Sequence, residues 1–171
     1  MADATTKGAL RPSLLDRLLD DEPDRRSERA REPRRGVDDA ALRESVRRDL
    51  DWLFNATRLA CTVDLERYPE VRRSVLNFGF VDLAGRTLSG VDTDTLAAEI
   101  TAMLHCYEPR LLPDGLTVRV EKGMSRTGAH ALIIDIQSEL WALPVPLALH
   151  LRTEVDLESG RVAVHELARN E

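Results

Sequence analysis

The first apolar positions of the chain recur with the period of an α-helix. Residues 13–20, SLLDRLLD, place four leucines on one helical face, and Ser13 precedes them as the N-cap. The next stretch, residues 21–36, contains no large apolar side chain, so it is predicted to form a solvated linker. The pattern therefore separates a short helix with a flexible charged linker, 1–37, from a folded domain, 38–171. It leaves open whether the short helix is a frayed terminus or a docking segment.

Two longer helices are predicted in the folded domain. One runs from about residue 38 to about residue 55, with Asp38 or Asp39 as its cap. Its inward positions are Leu42, Val46, Leu50 and Leu53. The other runs from about 93 to 107 and ends before Pro109, because a residue that precedes proline is disfavoured in the helical region. Residues 56–91 between them are rich in turn residues and predict mostly loop with a turn or two of helix.

The last third of the chain changes to the period of a β-strand. Strands are predicted over residues 116–122, 130–137, 147–155 and 161–167, and a hairpin loop at 158–160 joins the last two. Pro144 and Pro146 remove two backbone donors before the third strand, which favours an edge, a bulge or the start of a strand there. An exposed edge can accept a strand from another protein. The predicted fold class is α+β, with N-terminal helices packed on a C-terminal antiparallel β-meander.

Composition and charge narrow the classes of function. The chain is 43% hydrophobic and 32% charged, as in soluble globular proteins, and its net charge of −6 with no long basic run argues against nucleic-acid binding. The N-terminus has no segment of signal-peptide type, and no stretch approaches the length of about 18 apolar residues that spans a membrane. A cytoplasmic protein is expected, with Cys61 and Cys106 as buried, reduced side chains.

Candidate chemistry is sparse. Glu108 and Asp114 flank a turn, but a glycosidase needs two carboxylates across a sugar-sized cleft, and aromatic residues to line one are scarce. An arginine two positions away would also hold Glu108 ionised, which does not suit a general acid. His105 and Cys106 are adjacent on a helix and point about 100° apart, so they do not readily share a metal ion. No catalytic, cofactor or metal site is predicted.

Four stretches together resemble a known family. They are SVRRDLDWLFNATR (45–58), YPEVRRSVLNFGFVDLAG (68–85), YEPRL (107–111) and LWALPVPLALHLRTEVDLESGRVAVHEL (140–167). The chain resembles, over about residues 38–167, the TssE family of baseplate wedge proteins from bacterial type VI secretion systems. That family is related to wedge proteins of contractile phage tails, once labelled lysozyme-like. Phe78 stands where the family phrase usually has Tyr, and Val81 where it has Pro.

The resemblance implies an α+β fold and a structural role. Such a subunit links the baseplate to the first ring of the contractile sheath and helps to initiate sheath polymerisation. Its expected partners are other wedge subunits and sheath subunits, with no nucleic acid, no cofactor, no enzymatic activity and no direct membrane insertion. It is expected in the cytoplasm, on the membrane-docked baseplate. By position in the E-P-R motif, Glu108, Pro109 and Arg110 inherit a role in sheath assembly.

A mechanism for this motif is suggested by its spacing. Pro109 stops the helix, and in an extended segment residues i and i+2 face the same way, so Glu108 and Arg110 are expected to form one polar recognition pair. Arg110 would make charge-assisted bonds within the wedge or to a sheath terminus, while Glu108 orients it. Because exposed pairs contribute roughly 0 to 1 kcal/mol, the motif is expected to act through specificity or a buried interface more than through monomer stability.

Two rival functions follow from the same resemblance. One is a regulatory protein-binding module on this fold, like the anti-adaptor that shields a stationary-phase sigma factor from proteolysis. It would lack the N-terminal region and the full hairpin phrase seen here. The other is a peptidoglycan hydrolase, suggested by the family's old label, which would need export. Residues 1–36 are expected to be disordered until a partner binds.

Overall fold

A computed structural model of the 171-residue chain describes residues 13–18, 38–125 and 130–167. The predicted linker, 21–36, and the end of the first predicted helix lie outside these ranges. The described helices are α1 (Leu14–Leu18), α2 (Asp39–Asn55), α3 (Pro69–Arg72) and α4 (Thr93–Tyr107). The strands are β1 (Thr117–Met124), β2 (His130–Leu140), β3 (Leu147–Asp156) and β4 (Val162–Glu166).

Helices α1 and α2 begin at the capping residues that the sequence predicts, and α4 begins at a cap, Asp92, that was not predicted. The Ser13 hydroxyl accepts a hydrogen bond from the amide of Asp16 (3.1 Å), which confirms Ser13 as the cap of α1. The Asp38 carboxylate accepts from the amide of Ala41 (2.7 Å) at the start of α2. At the start of α4, the carboxylate of Asp92 accepts from two amides of the first turn. The bounds of α2 and α4 therefore confirm the predicted helices to within a residue or two.

Residues 56–91 are mostly loop, as predicted, with α3 and three short 3₁₀ turns. Asn77 holds this loop together, because its side chain accepts from the amide of Ala60 (2.9 Å) and donates to the carbonyl of Arg72 (2.9 Å). A short parallel bridge joins Thr57 to Phe80. The segment is thus fixed against the end of α2 even though it contains little regular structure.

The four strands form one antiparallel sheet in the order β1-β2-β3-β4, which confirms the predicted α+β meander. Helix α4 packs on β1 and helix α2 packs on β4, both on the same face of the sheet. Alternate strand residues enter this core, among them Leu132, Ile134, Ile136, Leu149, Leu151, Val155, Val162 and Val164. The sheet buries its apolar positions under the helices and turns its polar positions outward.

The structure also bears on the two cysteines and on membrane-spanning helices. Cys61 and Cys106 are free thiols, but both are exposed, so the prediction that they are buried is wrong. Cys61 lies in a 3₁₀ turn of the loop and Cys106 on an outward position of α4, because the inward positions of that helix are taken by larger side chains. Within the described ranges, no helix is long and apolar enough to cross a membrane.

Candidate functional site

The E-P-R motif forms a tight turn at the end of α4. Glu108 is the C-cap of the helix, and its amide donates to the carbonyl of Leu104 (2.9 Å). Its carbonyl then accepts from the amide of Leu111 (3.2 Å), across Pro109 and Arg110. The prediction of an extended segment is therefore wrong for these residues. Proline at the second position of a four-residue turn is favoured, because its fixed backbone angle suits that position.

The turn is anchored to the sheet immediately after Arg110. The carbonyl of Arg110 accepts from the amide of Trp141 (2.8 Å), and the amide of Leu112 donates to the carbonyl of Glu139 (2.8 Å). Leu111 and Leu140 form an antiparallel bridge between these two bonds. The motif is thus held on one side by α4 and on the other by the end of β2, which fixes where its side chains point.

Glu108 and Arg110 make the predicted side-chain pair, and the turn brings them closer than an extended chain would. Nε of Arg110 lies 2.6 Å from one carboxylate oxygen of Glu108, and Nη2 lies 2.5 Å from the other. The amide of Arg110 also donates to Glu108 (3.2 Å). Glu108 is only 3% exposed, so this is a buried, two-pronged ion pair and not an exposed one. Both oxygens face Arg110, which is not the geometry of an acid that protonates a substrate.

Helix α2 supplies the remaining partners of Arg110. Its Nη1 donates to the hydroxyl of Ser45 (3.0 Å), and its Nη2 donates to the carboxylate of Asp49 (2.6 Å). Burial alone would lower the pKa of Arg110, but the bonds to Glu108 and Asp49 outweigh it and raise that pKa. Arg110 therefore stays charged and ties α2 to the turn after α4.

The same polar contacts continue to α1. Arg48 donates to Asp49 (2.7 Å) and to Asp16 (2.8 Å), and the hydroxyl of Ser45 donates to Asp16 (2.9 Å). We refer to Asp16, Ser45, Arg48, Asp49, Glu108 and Arg110 as the charged network. It alternates acidic and basic side chains from α1 through α2 to the E-P-R turn. The guanidinium of Arg48 also lies 5.3 Å from the ring centroid of Trp52.

Sequence reasoning found Glu108, Pro109 and Arg110 but missed their partners. Ser45 and Asp49 are four positions apart and so share one side of α2. A serine and an aspartate on the side of a helix next to its apolar stripe were the available signal, and both lie in the first of the four resembling stretches. Asp16 carried no signal, because the sequence does not show where α1 sits.

Helix α1 meets the domain with its polar side, so the expectation that it is disordered without a partner is wrong for residues 14–18. Asp16 points into the charged network, whereas Leu14 and Leu18 are 74% and 81% exposed. Burying these leucines would be worth about 2 kcal/mol each, so a contact that leaves them in water is unusual for a terminal helix. The charged network therefore holds α1 in an orientation that presents Leu14 and Leu18 outward.

We expect the Asp16 carboxyl to titrate near pH 2 in the full-length protein. Partial burial raises the pKa of this group, but hydrogen bonds from Ser13, Arg48 and Ser45 outweigh it and lower the pKa from 3.8 to about 2. Because the pKa is lower in the folded state, this contact stabilises the protein fully above about pH 4 and is lost as the pH falls towards 2. NMR of the carboxyl carbon measures the midpoint. Ser45→Ala should move it upward, and a wild-type midpoint near 3.8 would show that α1 is not docked.

Two exposed apolar surfaces lie near the C-terminal end of α4. Val75 and Leu76 protrude from a 3₁₀ turn whose neighbour Ser74 is held by the hydroxyl of Tyr107 (2.9 Å). Trp141 and the exposed Leu143 lie in the chain that bonds to Arg110. Exposed apolar side chains on a rigid frame are typical of protein–protein contact surfaces.

In the described residues no group of three or more His, Cys, Asp or Glu side chains is placed to hold a metal ion.

A comparison with protein families gives a match over more than half of the chain. The family model described as baseplate wedge protein gp25 matches residues 40–145, which include α2, the 56–91 loop, α4, the E-P-R turn and the first two strands. This match agrees with the resemblance noted in the sequence. Neither the comparison with curated proteins nor that with solved structures gives a match.

Proposed function

Because the chain belongs to the baseplate wedge protein gp25 family, we propose that it links a type VI secretion baseplate to the first ring of the contractile sheath and helps to start sheath polymerisation. The family is one of structural subunits of phage-tail-like baseplates, which assemble with other baseplate subunits. Type VI secretion, the sheath as partner and a place on the membrane-docked baseplate in the cytoplasm are the further parts of this proposal.

The observation that carries the proposal is the charged network with α1 docked on it. A subunit that joins two assemblies needs separate surfaces at fixed relative positions. Arg110 bonds to the end of α4 and to α2, and through Arg48 the same contacts reach Asp16 on α1. The E-P-R turn thus connects the sheet to a helix on which two leucines are largely exposed among the described residues. We assign those leucines, Leu14 and Leu18, to a contact with another wedge subunit.

The sheet provides the second surface. In an open four-stranded sheet, β1 and β4 are edges, and each pairs with only one described strand. An edge strand presents backbone donors and acceptors that an extended segment from another chain can use. We assign the sheath contact to such strand addition, in which a terminal segment of a sheath subunit extends the sheet.

The test is sheath assembly in cells with a fluorescent sheath subunit. We expect Leu14→Ser/Leu18→Ser to reduce the number of sheaths to that of a deletion strain, although the free energy of unfolding stays within about 0.5 kcal/mol of wild type. The reason is that both side chains are solvated in the isolated protein and are needed only in the complex. Glu108→Ala/Arg110→Ala should also abolish sheaths, because it detaches the turn from α2.

Control measurements separate assembly from folding. Each variant is purified, its unfolding is measured, and its abundance in the cell is determined by immunoblot. Val63→Ser, an exposed apolar position in the loop, serves as the matched surface control and should leave sheaths intact. If sheaths form normally in the deletion strain, the chain is not a baseplate wedge, and the regulatory binding module becomes the better hypothesis.

A further inference from the structure

At alternate residues of β4, the backbone N–H and C=O groups point away from β3, towards the outer edge of the sheet. The amide of Asp156 bonds to the carbonyl of Arg161 (2.9 Å), and the amide of Leu167 bonds to the carbonyl of His150 (2.9 Å). The odd-numbered residues of this segment therefore make the backbone hydrogen bonds to β3. It follows that the backbone groups of Val162, Val164 and Glu166 point away from the sheet.

Asn55 occupies the first of these three positions. Its side-chain oxygen accepts from the amide of Val162 (3.1 Å), and its side-chain nitrogen donates to the carbonyl of Val162 (2.9 Å). One amide side chain thus makes both hydrogen bonds that an added strand would make at that residue. Asn55 is the last residue of α2, and its nitrogen also donates to the carbonyl of Asp51 (2.8 Å), which fixes the side chain in place.

The other end of β4 is also engaged by α2. Arg43 forms an ion pair with the side chain of Glu166 (2.8 Å), so α2 spans the edge from Val162 to Glu166. Val164 and Glu166 keep their outward backbone groups, because Arg43 bonds to the side chain of Glu166 and not to its backbone. A groove of about 740 Å³ runs beside β4 between Asp51 of α2 and His165 of the strand. Asn55 lines this groove, so its side chain occupies the position at which an added strand would bond to Val162.

The opposite edge differs. β1 pairs with β2 without interruption over eight residue pairs, from Thr117 to Met124. Among the described residues, no backbone–backbone hydrogen bond from a loop reaches β1. Alternate residues along this strand therefore offer a continuous outer edge, whereas on β4 the backbone groups of Val162 are already bonded to Asn55. Helix α4 packs on one face of β1, and no strand among the described residues pairs with its outer edge.

We propose that Asn55 is a strand mimic that closes the β4 edge, so that an extended segment donated by a neighbouring subunit adds to β1. The first part of this proposal, the closure of β4, is supported by the hydrogen bonds of Asn55 alone. The second half rests on the proposed strand addition and says which edge receives the segment. Asn55 thereby determines the specificity of the contact without touching the donated segment.

The closure is tested on the isolated full-length protein. In Asn55→Ala, we expect the amide of Val162 to exchange with solvent about tenfold faster by NMR, because it loses its acceptor. We also expect concentration-dependent association in analytical ultracentrifugation, because an opened edge pairs with a second copy. Adding Glu166→Pro should suppress the association, since proline removes an outward donor that the sheet itself does not use.

Controls distinguish closure from a merely structural role. Asn55→Asp keeps the acceptor for the Val162 amide and loses the donor, so it should show slower amide exchange than Asn55→Ala. If Asn55→Ala speeds exchange equally across the whole domain and stays monomeric, Asn55 only anchors α2 and the proposal fails. Association that persists with Glu166→Pro would place the contact elsewhere and would equally overturn it.

The choice of edge is tested in assembled baseplates. A photo-crosslinking amino acid at Glu121 of β1 should capture a neighbouring subunit, and the same group at His165 of β4 should not. Capture from His165 would overturn the choice of β1. If neither position captures a subunit although sheaths form, strand addition is wrong, while the result for closure by Asn55 stands on its own measurements.

Discussion

Arg110→Ala is expected to lower the free energy of unfolding by about 3–5 kcal/mol. The substitution leaves the carboxylate of Glu108 at 3% exposure without either of its side-chain donors, and an unpaired buried charge is expensive. It also removes the donors that reach Ser45 and Asp49 from the turn. Chemical denaturation followed by circular dichroism measures the change.

The matched control is Glu108→Gln/Arg110→Ala. Glutamine keeps the shape of Glu108 without its charge, so the double variant should recover part of the loss although it lacks one more native group. A cost below about 1 kcal/mol for Arg110→Ala would mean that the pair behaves like an exposed one. The expected loss departs from the sequence-based expectation that the motif acts more through specificity than through monomer stability, because the pair is buried within one chain. For this reason the cell experiment pairs the motif variants with unfolding data. A loss of sheaths in Arg110→Ala alone would not separate assembly from stability.

Gly79→Ala is expected to cost about 3 kcal/mol or more. Gly79 has a φ of +132°, a conformation that side chains of L-residues rarely adopt, and its missing Cβ would lie against the carbonyl of Ala56 and within 2.8 Å of the amide nitrogen of Arg58. These are backbone atoms of the bridge between the end of α2 and Phe80, so they do not move aside cheaply. Thermal unfolding and denaturant titration measure the loss.

Gly85→Ala separates the two causes. Gly85 has a φ of +73°, but no heavy atom lies within 4 Å of its missing Cβ. Only the backbone strain applies there, and it costs about 1–2 kcal/mol. Equal losses at the two glycines would show that the loop relaxes around Gly79 and that the close approach to Ala56 is not rigid.

The regular elements of the fold were predictable because their signals are local. Asp38 and the apolar spacing that follows it define α2, and the residue that precedes Pro109 ends α4. The second strand was predicted to end at 137 but continues to Leu140. The reason is that Ser138 is a polar residue on the buried face, where it interrupts the apolar alternation that marks a strand.

In the candidate site, only the contact between residues close in sequence was predictable. Glu108 and Arg110 are two residues apart, and their pairing follows from that spacing. Asp49 lies 61 positions from Arg110, so its contact depends on how α2 packs against the sheet. The turn at Pro109 was predicted as extended because the rule for residues before proline describes one residue and not the hydrogen bond from Leu111 that closes the turn.

The orientation of α1 shows a general limit of periodicity. A stripe of leucines identifies an amphipathic helix, but it does not say whether the stripe faces its own domain or another protein. In this chain the carboxylate of Asp16 determines the orientation of α1, because its ion-pair partner, Arg48, lies on α2. The decisive residue is therefore on the polar side of the helix, where periodicity carries no information.

The packing of α2 on β4 also sets the order of events during synthesis. Asn55 and Val162 are 107 positions apart, and the ion pair of Arg43 and Glu166 spans 123. When α2 leaves the ribosome, the strand that covers its apolar face has not yet been made. The sheet forms from successive local hairpins, whereas the helix must wait for the last of them and then close a long loop. The nascent chain therefore carries an uncovered apolar helix until β4 emerges, and its folding is completed only after translation has passed Glu166.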